Sequence, residues 1–112
     1  MRKDRLHINK NLVPYRFSIL LADELFEMGI SYNENHDFFT VSLLRDGEVL
    51  CNSEPVVYGV PLFQDIYVPD KFPAIALIPI DESGDVQIAT YDNMEKTVFL
   101  TVDNALESLG AV

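Results

Sequence analysis

His7, His36, Cys51 and the acidic run Asp81-Glu82-Ser83-Gly84-Asp85 are the residues of this 112-residue chain best equipped for chemistry. Histidine titrates near neutral pH and ligates metals, so two histidines raise the question of a proton relay or a metal centre. Here His7 lies in a basic N-terminal stretch and His36 in a turn after Asn35, so further ligands would have to come from distant segments. Both read as surface or turn residues. A lone cysteine makes no internal disulfide and cannot by itself hold zinc; Cys51 reads as a small apolar residue in or beside a strand. A calcium loop of the EF-hand kind needs alternating oxygen ligands, a central glycine and a terminal bidentate glutamate. Residues 81–85 lack that register and read as a solvated hairpin turn. No serine sits in a G-x-S-x-G elbow, and the five glycines are isolated and build no phosphate loop. Many acids leave a carboxylate pair for glycoside chemistry open, but there is no tryptophan to serve as a sugar platform. The expectation is a protein that is not an enzyme and takes no cofactor and no metal.

Charge says more when it is divided along the chain. Residues 1–16 hold Arg2, Lys3, Arg5, Lys10 and Arg16 against Asp4, a net of +4. Residues 17–112 hold Arg45, Lys71 and Lys96 against 17 acids, a net of −14, which gives the whole chain −10. Such a body repels phosphates, so specific nucleic-acid binding is not expected. The basic stretch reads either as an arm that docks on something negative, such as a neighbouring copy, or as a frayed terminus. No apolar run approaches the roughly 18 residues that cross a bilayer, and no apolar segment follows the basic start as it would in a secretory signal. The expectation is a cytoplasmic start and no membrane contact.

These residues must be positioned by short elements, because turn signals recur every 8–12 residues, among them Asn33-Glu34-Asn35, Asp46-Gly47, Pro69-Asp70 and Ser83-Gly84-Asp85. That spacing marks an all-β sandwich or barrel, antiparallel, with about seven or eight strands. The strands expected are 15–22, 25–32, 38–45, 48–52, 56–63, 74–80 and 97–102, with an eighth through 85–90. Phe39, Val41 and Leu43 alternate with Thr40 and Ser42, and Phe26, Met28, Ile30 and Tyr32 share one side of their strand. In 97–102, Val98, Leu100 and Val102 face in, leaving Phe99 outward. Pro79 assigns 74–80 to an edge covered by something else. Asp46-Gly47 is the turn best suited to positive φ at both positions. Asn104 and Glu107 suggest a capping box and a short C-terminal helix. One domain is expected: a flexible basic arm over 1–12, a β body over 13–102 and a tail over 103–112. The loop 64–73 is too apolar for free solvation, so Ile66, Tyr67 and Phe72, together with Phe99, Ile75 and Leu77, are the expected partner contacts.

Several landmarks occur in a familiar order. Asn11-Leu12-Val13-Pro14-Tyr15-Arg16-Phe17 leads into a first strand, and a second alternating strand ends at Tyr32-Asn33. Phe38-Phe39, the turn Asp46-Gly47 and the close Gly59-Val60-Pro61-Leu62 follow, then Asp92-Asn93-Met94 and Val98-Phe99-Leu100. In this order, over about residues 11–102, the chain resembles the phage baseplate plug family, small β proteins of contractile tails. It departs from the family in having Phe where a Trp is often found in the third strand, and in its segment 64–73. The resemblance implies a non-catalytic virion component near the tail-tube end or the central hub or spike. Its partners would be tail-tube, hub or spike proteins or further copies of itself, with assembly in the host cytoplasm. Two other readings remain on the residues alone: a small cytoplasmic β adaptor that binds one protein through an exposed edge, and a ligand-binding barrel, which needs a cavity.

Overall fold

The computed structural model describes residues 4–68, 71–73 and 75–103. Its seven strands are β1 (Asp4–Leu6), β2 (Tyr15–Leu21), β3 (Glu24–Asn33), β4 (Phe38–Arg45), β5 (Glu48–Pro55), β6 (Ala76–Ile80) and β7 (Phe99–Asp103). They form two antiparallel sheets, β2-β3-β4-β5 and β1-β7-β6. The two sheets are separate and share one apolar core, so the chain is layered rather than closed into a cylinder.

The four-stranded sheet follows from alternation. Met28 lies opposite Leu43 and Ile30 opposite Val41, so Phe26, Met28, Ile30, Phe39, Val41 and Leu43 share the buried face. Leu6, Leu77, Val98 and Leu100 of the second layer complete the core with Met94. Two of the turns are of the primed hairpin kind. Ala22 and Asp23 (φ 52° and 66°) join β2 to β3, and Asp46 and Gly47 (φ 51° and 82°) join β4 to β5. Between β3 and β4, Asn33 Oδ1 accepts the N–H groups of Asn35 and His36 at 3.0 and 3.2 Å.

Three sequence expectations need correction. First, segment 56–63 is not a strand. It runs along β6, where the Gly59 N–H donates to the Pro79 carbonyl at 2.8 Å and the Leu62 N–H to that of Leu77 at 2.9 Å. Gly59 (φ 75°) and Phe63 (φ 66°) are left-handed and Pro61 has no N–H, so no ladder can form. The same contact explains β6: it is the expected edge strand with Pro79, and its cover is the chain itself. Second, 85–90 forms no strand, because Asp81 ties the Val86 N–H back into the preceding turn. Third, the basic stretch is not a free arm from residue 4 onward. β1 pairs with β7 (Leu6 opposite Leu100), and Leu6 and Ile8 are core residues. On β7, Thr101 points to the outer side yet is fully buried, its hydroxyl donating to the Ile78 carbonyl at 2.8 Å. The short helix expected beyond residue 103 lies outside the described residues.

Gly47 has nothing within 4 Å of a Cβ built upon it, so its requirement is purely conformational. Gly47→Val is expected to destabilise the chain by about 1–2 kcal/mol through the strained positive φ, while Gly47→Asn costs less than half of that. Urea denaturation of the two variants checks this; equal midpoints for the valine variant and the wild type would contradict it.

Candidate interaction surfaces

Several titratable residues are occupied by their own fold. Asp81 is buried, and its Oδ1 accepts from the Ser83 N–H (2.9 Å) and the Ser83 hydroxyl (2.6 Å) while Oδ2 accepts from the Val86 N–H (3.2 Å). The Ser83 hydroxyl is the leading cause that holds the Asp81 carboxyl below its ordinary value. The Asp81 N–H in turn donates to the Tyr58 hydroxyl at 3.1 Å. The acidic turn is therefore a carboxylate closing its own loop. Among the described residues no group of three or more His, Cys, Asp or Glu side chains could hold a metal ion. His7 Nδ1 lies 2.9 Å from Glu95 Oε1, His36 stacks on Phe38, and burial pushes the half-buried Cys51 thiol up.

A second knot of interactions ties the two layers together. Asp37 Oδ1 accepts the Tyr32 hydroxyl at 2.5 Å and the Tyr91 N–H at 2.9 Å. The Tyr32 phenol is pushed up to about 12, first by that hydrogen bond, and the Asp37 carboxyl is lowered by the same bond. The Tyr91 ring packs on Tyr32 and Phe39, with centroids 5.0 and 5.8 Å away. Lys10 lies over the other ring face and donates to the Tyr91 carbonyl at 2.8 Å.

The six residues expected to meet a partner fall in two places. Five belong to the segment 61–77, which folds around an apolar pocket of about 220 Å³ lined by Leu62, Phe63, Tyr67, Phe72, Ile75 and Leu77. The segment is fastened by the Phe63 N–H donating to Glu54 Oε2 (2.9 Å) and by the Lys71 and Phe72 N–H groups, both donating to the Val68 carbonyl (3.1 Å). Phe72, Ile75 and Leu77 are only 6, 8 and 2 % exposed and form core and pocket wall. The loop turns Phe72 and Ile75, and the inner face of β6 turns Leu77, toward the chain's own core. Ile66 is 42 % exposed and Tyr67 half-buried at the rim.

Phe99, the sixth, is on the outer face of β7 as its register requires. It is half covered by the Arg5 guanidinium, 3.8 Å above its ring, and by the edge of His7 at 6.2 Å. Arg5 is held there by Glu82, Nη2 to Oε1 at 3.3 Å. Sequence reasoning missed a further apolar group, Leu20 opposite Leu25 on the outer face of the four-stranded sheet, 68 and 62 % exposed. Their signal was phase: each stands one residue out of step with the inward set.

Residues 4–105 match a family model described as Cyanophage baseplate Pam3 plug gp18. The matched stretch takes in all seven strands. No curated protein matches the chain.

Because Asp81 has a lowered value in the folded state, its stabilisation is complete above about pH 4, the unfolded carboxylate value, and is lost as pH falls through the folded value. Asp81→Asn is expected to lower the urea midpoint at pH 7 and to converge on the wild type in acid. A gap that stays constant from pH 7 to pH 3 would mean that the carboxylate charge carries none of the turn's stability.

Proposed function

We propose, since the chain belongs to the cyanophage baseplate Pam3 plug gp18 family, that it is a non-catalytic structural component of a phage tail baseplate, packed near the tail-tube end or the central hub or spike. The observation that carries this reading is the family match from residue 4 to 105, which spans every strand rather than one motif.

The composition supports the same reading. A net charge of −14 over residues 17–112 repels DNA phosphates, as suits a protein set beside a channel through which DNA passes. Its partners are tail-tube, hub or spike proteins, met during assembly in the host cytoplasm and kept in the virion. Phe99, Ile66 and Tyr67 are the outward apolar side chains with which it meets them. The chain acts as one domain in this role.

A tagged chain drawn from its host during particle production is expected to bring down tail-tube, hub or spike proteins at fixed ratios, read by mass spectrometry. Recovery of one cytoplasmic protein and no tail protein would overturn the reading in favour of an adaptor. Phe99→Asp is expected to leave the isolated fold intact, since Arg5 lies above the ring and can pair with the new carboxylate, and to abolish co-purification with those tail proteins. Circular dichroism with the same pull-down checks both halves, and an unfolded variant would show that Phe99 serves the core instead.

A further inference from the structure

Two sheets have four edges, and three of them are closed to further pairing. The free side of β6 is taken by the Gly59 and Leu62 N–H groups. β1 comprises only three described residues. β5 has two register shifts against β4, a left-handed Ser53 (φ 60°) and a terminal Pro55, which spoil it as a template. β2 has none of these defences. It pairs one-to-one with β3 from Tyr15 opposite Ile30 to Leu21 opposite Glu24, without bulge or proline. Among the described residues no backbone group outside β3 bonds to its main chain.

The turn shows which β2 groups are free. A two-residue hairpin loop with positive φ at both positions makes its flanking residues, Leu21 and Glu24, a hydrogen-bonded pair, and bonded pairs then alternate. Tyr15, Phe17, Ile19 and Leu21 therefore bond β3, while Arg16, Ser18 and Leu20 aim their N–H and C=O groups at the open edge. On the inner side Tyr15, Phe17 and Ile19 are only half-buried, whereas Phe26, Met28 and Ile30 beside them on β3 are at most 1 % exposed. Tyr15, Phe17 and Ile19 therefore overhang the well-covered part of the core.

We infer that β2 is a self-association edge whose occupant is β2 of a second copy of this chain, antiparallel to the first and centred on Ser18. Charge selects the copy. β2 contains no acid in a chain with 18 of them, while β1 and β5 both include acids in their sequences, and β6, which lacks them, is already covered. Two chains of net charge −10 meet there without facing carboxylates. The register is self-consistent: Ser18 faces Ser18 and Arg16 faces Leu20, so every outward-bonding residue meets another. Phe17 then meets Ile19 in the closer, non-bonded pairs, and the overhanging Tyr15, Phe17 and Ile19 of both copies form one continuous apolar seam. The two Arg16 side chains are four steps apart, roughly 14 Å at ~3.4 Å per residue, beyond the Debye length at physiological salt. The product is an eight-stranded sheet across a two-fold axis.

Light scattering on the full chain across a concentration series tests this independently of the baseplate reading. The mass is expected to rise from one chain to two. Ser18→Pro removes an edge N–H that β3 does not use, and Ser18→Lys sets two cations face to face at the axis. Each is expected to weaken dimerisation about tenfold or more with circular dichroism unchanged, while Val49→Lys on β5 leaves it as it is. A wild type that stays a monomer throughout, or a dimer indifferent to both Ser18 variants, would overturn the inference. So would a monomer that binds another tail protein in a Ser18-dependent way, which would give the edge to that protein and leave the baseplate reading standing.

Discussion

Pairing of β3 with β4 in a single register constrains everything else in this molecule. It sets Phe26, Met28, Ile30, Phe39, Val41 and Leu43 on one face and leaves Glu27, Ser31, Thr40 and Ser42 on the other. A slip of one residue would exchange the two sets, and each large side chain brought into water would forfeit about 1.5–3 kcal/mol. The loop that fixes the register is itself anchored, through Asn33 to its own backbone and through Asp37 to Tyr32 and Tyr91. Tyr91 precedes the last described strand, so the device that aligns the first layer also draws in the approach to the second. The apolar face then needs a cover, and Leu77, Leu100 and Leu6 supply it from three strands that no single stretch of sequence holds together.

Those parts of the fold with one wet face were legible in the sequence. β2, β3 and β4 stand within one or two residues of the spans that their alternation suggests, Asp46-Gly47 adopts the two positive φ values such a pair permits, and Pro79 marks an edge. Illegible were the features that long-range contact decides. Three residues, Asp4 to Leu6, are too short to show a period, and their partners lie more than ninety positions away. Segment 56–63 has a strand's composition but left-handed residues at Gly59 and Phe63, so it lends two hydrogen bonds to β6 without joining the sheet. Within 64–77, nothing in residue type separates Ile66 from Ile75. Which of them meets water is settled by the Phe63–Glu54 and Val68–Phe72 hydrogen bonds that fold the loop over its pocket.

The few cations of this acidic chain act as local clasps. Arg5 spans Phe99 and Glu82, Lys10 covers Tyr91, Arg45 joins Glu24 at 2.8 Å, and Lys71 meets Glu48 at 3.2 Å. Pairs this exposed contribute little to stability one by one. Their larger effect is on the field: among the described residues positive charge is drawn into the chain's own contacts. The basic start of the sequence is therefore not a grappling arm for another molecule where it is described; it is part of the body.

One topological fact bears on how such a protein is made. β7 lies between β1 and β6, so the middle strand of the second layer is the last of the seven to be synthesised. On the ribosome the four-stranded meander can form early, from hairpins whose partners are neighbours. Its apolar face is completely covered only once residues 99–103 have left the exit tunnel, and only then can β1, among the first residues made, find its place. Joining strands so far apart is slow, because loop entropy is lost before any contact rewards it. For that interval the nascent chain offers a finished but incompletely covered sheet. A cell that makes it in quantity must shield that face, with a chaperone or with dilution, until the second layer closes.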